Sequence, residues 1–159
     1  MNTLNWSESL ALQHAQIDQT HQEFVALLNR WGAALAGQDE AEMLSLYEAL
    51  LAHTEAHFAM EEGWMAATGF APENCHSKQH AMVLDVMRQV LAHVQAQRDF
   101  EPMRNLLPEL LNWFPAHAEM MDASLVYHMK EVGFDAATGH LAKPLPAAAI
   151  SSCGSSSCS

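Results

Sequence analysis

Apolar positions recur at alternating four- and three-residue steps through four long segments, which is the signature of helices that each bury one stripe. In the first, about Asp18 to Leu35, the stripe is Ile17, His21, Phe24, Leu28, Trp31 and Leu35. In the second, about Asp39 to Ala67, it is Met43, Leu46, Leu50, His53, His57, Glu61 and Trp64. The third, about Pro72 to Gln97, presents His76, His80, Val83, Met87, Val90 and Val94. The fourth, about Met103 to Val132, presents Leu106, Leu110, Trp113 and His117, then steps five residues to Asp122 before Leu125 and Met129. Asp18 and Asp39 are placed as helix starts, and Gly37, the Thr68–Pro72 turn and Gly133 as stops. Pro108 and Pro115 each remove one backbone hydrogen bond inside the fourth helix, and Pro115 predicts a kink just before His117.

Short connections between four long helices predict an all-α, up-down-up-down four-helix bundle. The bundle is expected to occupy 1–135, and the Ala-, Ser- and Pro-rich stretch 136–159, ending SSCGSSSCS, is expected to be a flexible, disordered tail.

Polar residues interrupt the apolar stripes at His21, His57, Glu61, His76, His80, His117 and Asp122. An unpaired imidazole or carboxylate is costly to bury. In an antiparallel bundle, the start of helix one, the end of helix two, the start of helix three and the later part of helix four share one end. All seven residues therefore fall in one layer, and metal coordination accounts for them together. Five imidazoles with two carboxylates suit a borderline metal such as iron better than calcium or magnesium. Five nitrogens divide unevenly between two metals. With both carboxylates bridging, three histidines complete one metal and two histidines leave the other with an open position.

Composition narrows the partners. Nineteen acidic against seven basic residues give a formal net charge of -12, and the basic residues are scattered singly, which disfavours nucleic acid and anionic membranes. No apolar run is long enough for a membrane span, and the start lacks a secretory pattern, so a cytoplasmic location is expected. A single Glu-x-x-His, Glu73 to His76, argues against carboxylate-rich oxidases, whose bundles carry two copies. His53 is read as a neighbour of the site rather than a ligand, Glu62 as facing water or capping a neighbour. His14, His93, His128 and His140 are read as surface residues. Cys75 sits at a loop or helix start, and Cys153 and Cys158 are read as exposed tail thiols.

The motifs Ile17-Asp18-x-x-His21, His57-Phe58-x-x-Glu61-Glu62, His76-x-x-x-His80 and Trp113-x-x-x-His117-x4-Asp122 make the sequence resemble the bacterial hemerythrin family from about Trp6 to Val132. That resemblance implies a carboxylate- and oxo- or hydroxo-bridged pair of iron ions that binds dioxygen reversibly, for storage, delivery or sensing, without catalysis. By the same resemblance His76, His80 and His117 would hold one iron, His21 and His57 the open one, and Glu61 and Asp122 would bridge. Phe24, Phe58, Trp113 and Ala118 would line the dioxygen pocket. Ala118 stands where a larger aliphatic residue is usual, which enlarges that pocket. His53 and Pro115 are further departures from the family pattern. The alternatives are a di-iron enzyme acting on peroxide or nitric oxide, and an iron-handling or signalling module that works through a protein partner.

Overall fold

The computed structural model describes residues 3–145 and 147–151. Its frame is four antiparallel helical rods: α1 (Ala15–Leu35), α2 (Glu40–Ala67), α3 (Cys75–Gln97), and a last rod made of α4 (Glu101–His117), a π-helical turn (Ala118–Asp122) and α5 (Ala123–Glu131). Neighbours in the ring are α1 with α2, α2 with α3, α3 with α4 and α4 with α1, as the short loops predict.

Local chemistry moves several helix starts from their expected places. α1 begins at Ala15 because His14 is the N-cap, its Nδ1 accepting the Ile17 amide at 3.3 Å. Asp18, the expected cap, lies in the first turn and accepts the Leu12 and His14 amides at 2.7 and 3.2 Å. α3 starts at Cys75 rather than near Pro72, because Asn74 and Ser77 form a reciprocal capping box. Asp39 caps α2 as expected, accepting the Glu42 amide at 3.0 Å. α4 continues through both Pro108 and Pro115, and the departure from α geometry comes after His117.

Two apolar clusters fill the bundle. The larger holds Phe24, Leu28, Trp31, Tyr47, Leu50, Met87, Met103 and Leu110 among others. The smaller, at the end where α2 meets α3, holds Ile17, Trp64, Met65, Phe70, Leu125, Val126 and Met129. Along α1 the order is Ile17, His21, Phe24; along α2 it is Phe58, Glu61, Trp64; along the last rod it is Phe114, His117, Asp122, Leu125. A buried polar layer thus separates the clusters. On α4 the buried stripe runs through Phe114, and Trp113, the stripe residue expected there, is only half-buried.

The segment predicted as a tail runs back along the bundle as far as it is described. Phe134–Asp135 (β1) pairs antiparallel with His140–Leu141 (β2), and Ile150 bridges Phe70 in the α2–α3 loop. Pro146, Cys153 and Cys158 lie outside the described residues. Gly133 makes the turn out of α5 at φ 66°, and a Cβ there would lie 2.6 Å from the Ala142 Cβ. Gly133→Ala should therefore lower stability by about 1–2 kcal/mol from the left-handed backbone alone. Urea unfolding would measure it, and an unchanged midpoint would contradict this turn geometry.

Candidate metal centre

The seven polar side chains singled out from the sequence meet in the layer between the two clusters, and all are buried. Their donor atoms form two groups, Glu61–His76–His80–His117–Asp122 and His21–His57–Glu61–Asp122, each with all atoms within 4.8 Å of one another. Both groups contain the two carboxylates. Glu61 turns Oε1 to His57 Nε2 at 3.0 Å, and Oε2 to His80 and His76 at 3.2 and 3.3 Å. Asp122 turns Oδ2 to His21 Nε2 at 3.0 Å, and Oδ1 to His76 and His117 at 2.9 and 3.0 Å. Each carboxylate therefore offers one oxygen to a three-nitrogen group and the other to a two-nitrogen group.

These contacts are not ordinary hydrogen bonds. All four carboxylate oxygens are buried and accept no well-aligned hydrogen bond, and both nitrogens of His21 are likewise unsatisfied. Buried polar atoms in that state call for a partner of another kind, and a cation between them is one. Burial and the Asp122 charge push the Glu61 carboxyl up, but His57 and His76 outweigh them and hold it below the usual range. Burial likewise raises Asp122, and His117, His21 and His76 more than reverse it. Burial pulls His57 down, yet the Glu61 carboxylate beside it leaves the net shift upward; in His80 burial wins and the shift is downward. Two ionised carboxylates with five imidazoles fit a borderline divalent metal such as iron.

The reach of Asp122 has a local cause. The Ala123 amide bonds to the Ala118 carbonyl, five residues back, so the turn between His117 and Asp122 holds one residue more than an α turn. The five-residue step thereby does the work of a four-residue one. Met120, in the middle of the turn, is 51% exposed, while Met121 and Asp122 stay buried.

The two groups differ in what surrounds them. On the three-nitrogen side, His117 Nδ1 lies 2.6 Å from Gln79 Oε1, which also accepts from Trp113 Nε1 at 3.2 Å. His80 Nδ1 lies 3.2 Å from Glu62 Oε1, a half-exposed carboxylate. Phe58 stacks flat on His80 at 3.8 Å between centroids, and Trp113 stacks on His117 at 4.5 Å. On the two-nitrogen side, Phe114 meets the His21 ring edge-on at 5.0 Å and packs on Phe24 at 4.8 Å. Of the residues expected to line a pocket, Phe24 and Ala118 are buried in the larger cluster, whereas Phe58 and Trp113 chiefly cover the three-nitrogen side. Gln79 and Phe114 were missed from sequence. Phe114 lies three residues before His117, a spacing that marks it as sharing a face; Gln79 has no such signal, because its partner is on another helix.

The remaining histidines stay away from the layer. His53 pairs with Glu23 across α1 and α2 at 3.0 Å, His93 with Asp99 at 3.0 Å, and His140 is exposed. His128, half-buried rather than on the surface, bonds to the Thr68 carbonyl at 2.7 Å. Glu73 is exposed in the α2–α3 loop.

The family model described as Hemerythrin HHE cation binding domain matches residues 13–128, a span that includes all seven side chains. The chain belongs to the hemerythrin family. A bacteriohemerythrin of Ralstonia nicotianae is 39% identical over 136 residues, covering 86% of this chain and 96% of that protein. One from Pseudomonas aeruginosa is 28% identical over 127 residues, 79% of this chain and 81% of the other. A third, from Stenotrophomonas maltophilia, is 25% identical over 112 residues, 70% and 73% of the two chains. A cation-binding hemerythrin bundle agrees with the unsatisfied carboxylate oxygens.

In this hemerythrin bundle Gln79 orients His117 from outside the buried polar layer. Gln79→Leu should weaken metal binding about 10–100-fold, the usual cost of losing such an orienting partner. Competition against a chelator measures this, and an unchanged affinity would show that Gln79 does not set the ring.

Proposed function

We propose that this chain binds dioxygen reversibly at a non-haem di-iron centre, serving oxygen storage, delivery or sensing in the cytoplasm. The observation that carries the reading is the pair of carboxylates, each with one oxygen against two imidazoles of the three-histidine group and the other against one imidazole of the two-histidine group. In this reading His76, His80 and His117 would hold one iron, His21 and His57 would hold the other, and Glu61 and Asp122 would be shared between them.

The iron pair, when bound, supplies the electrons with which dioxygen is held. The chain's own side chains do the rest. The two-histidine group would give an iron one protein ligand fewer than the three-histidine group, leaving a position for a small ligand. The rings on that side, Phe114 against His21 and Phe24 packed on Phe114, neither donate nor take a proton. They exclude water and leave a bound ligand chemically unaltered, which favours binding over turnover. Phe24, behind Phe114, extends the apolar wall, and Ala118 keeps its part of the wall low.

Ferrous reconstitution of the purified protein should give two irons per chain and an oxygen-dependent absorption band that disappears on removing oxygen. One metal per chain, or no such band, would overturn the reading. Net consumption of peroxide or nitric oxide at rates far above oxygen release would favour the enzyme instead. Removing the metal should also lower the unfolding temperature, since a ligand at about 100 times its Kd adds about 2.7 kcal/mol to stability. Scanning calorimetry with and without chelator checks this, and equal transitions would mean that the buried layer needs no cation.

A further inference from the structure

Between α3 and α4 the bundle surface carries a groove of about 300 Å³. Val83, Leu106 and Leu110 form its floor, and all three are buried. Met82 and Val86, one turn apart on α3, flank that floor and are 57% and 42% exposed. Apolar side chains gathered in water at one place mark a surface that is covered in use. The volume falls at the lower end of the roughly 300–1,000 Å³ of small-molecule sites.

The polar groups of the groove select a sign of charge. Glu109, on α4, is its one ionisable residue; it is exposed and, among the described residues, makes no ion pair. No lysine or arginine lines the groove, and the Trp113 indole N–H is already donated to Gln79 at 3.2 Å. An anion would find no side-chain donor there. A cation would find the Glu109 carboxylate, the indole ring one turn further along α4, and a chain of net charge -12. The apolar floor calls in addition for an apolar body, which a bare metal ion lacks.

We propose that this groove binds a small lipophilic cation, an organic ammonium ion that carries a short aryl or alkyl body. The body lies on Val83, Leu106 and Leu110 beside Met82 and Val86, and the ammonium group sits by Glu109 and Trp113. Trp113 also ties the groove to the buried polar layer. Its ring stacks on His117 at 4.5 Å, and the Gln79 oxygen that it donates to lies 2.6 Å from His117 Nδ1. An occupant packed on Trp113 holds that stack and that hydrogen bond in place. A second consequence rests on the di-iron reading: with the groove filled, His117 keeps its orientation and iron is held more tightly.

The test uses the full chain and probes that share one aromatic ring: benzyltrimethylammonium, benzyl alcohol and phenylacetate. In methyl NMR titrations the cation should shift the Met82, Val83, Val86, Leu106 and Leu110 signals together and saturate. The alcohol should bind more weakly and phenylacetate should leave the signals in place. Shifts that never saturate, or that spread over the whole surface, would overturn the site. Phenylacetate binding as tightly as the cation would overturn the choice of charge. Glu109→Gln should weaken the cation about two- to fivefold, the worth of one exposed ion pair, and leave the alcohol unchanged. An unchanged cation affinity would remove Glu109 from the site and overturn the assignment. Val86→Lys, a change at an exposed position, should abolish cation binding without moving the unfolding midpoint, and retained binding would place the cation elsewhere. Movement of the Met82 and Val86 signals on dilution, with no probe present, would put a second copy in the groove and overturn the small-ligand assignment. Ferrous iron affinity, from chelator competition, should rise about fivefold or more at saturating cation, and the iron-loaded chain should bind the cation tighter by the same factor. Equal affinities would overturn the coupling through Trp113 alone. A chain that holds no iron with or without the cation would overturn the di-iron reading and leave the groove site standing.

Discussion

Glu61 and Asp122 are two ionised carboxylates, fully buried, in one layer of a protein interior. Charges so placed cost several kcal/mol each unless opposite charge and well-made contacts compensate them. Five imidazoles surround the pair without giving any carboxylate oxygen a well-aligned hydrogen bond. The arrangement answers to cations, and most other features of the bundle follow from bringing those two anions to the same place. The helices must run antiparallel so that the right ends meet. The polar layer must be sealed on both sides, as it is by the two apolar clusters. The last rod must insert a residue to turn Asp122 inward.

The site is built unevenly, and the unevenness is functional in the di-iron reading. Where three imidazoles gather, Gln79 and Glu62 take the outer nitrogens of His117 and His80, and two aromatic rings stack on those same imidazoles. Rotation of these rings would break a hydrogen bond and a stack together. The two-imidazole side is framed instead by phenylalanine edges. One half is thereby held by polar partners and stacked rings, and the other is lined by apolar rings.

The start of α3 is where the buried polar layer meets the rest of the molecule. Asn74 and Ser77 cap it from within, and Ser151 caps it from the C-terminal segment. Residues 13–128 carry the family likeness, and this segment lies beyond them. It adds a strand-like edge to the α2–α3 loop and so supports the turn that delivers His76.

Periodicity alone located the four helices and the seven polar interruptions, because a residue facing a bundle core must recur with the helical period whatever its partner is. The spacing also placed those interruptions at one end, since antiparallel order is forced by short loops. Helix starts were legible only in part: Asp39 caps as its type predicts, but a His14 ring nitrogen took the place that Asp18 was expected to fill. The five-residue step to Asp122 was visible without an account, since a π-helical turn has no residue signature and is stabilised by what lies downstream. Contacts between helices decided the rest. Gln79 on His117, Phe114 on His21, and Ser151 on the α3 amide join residues 38 or more positions apart. Local pattern records which way a side chain faces, and only the packed bundle determines what it meets there.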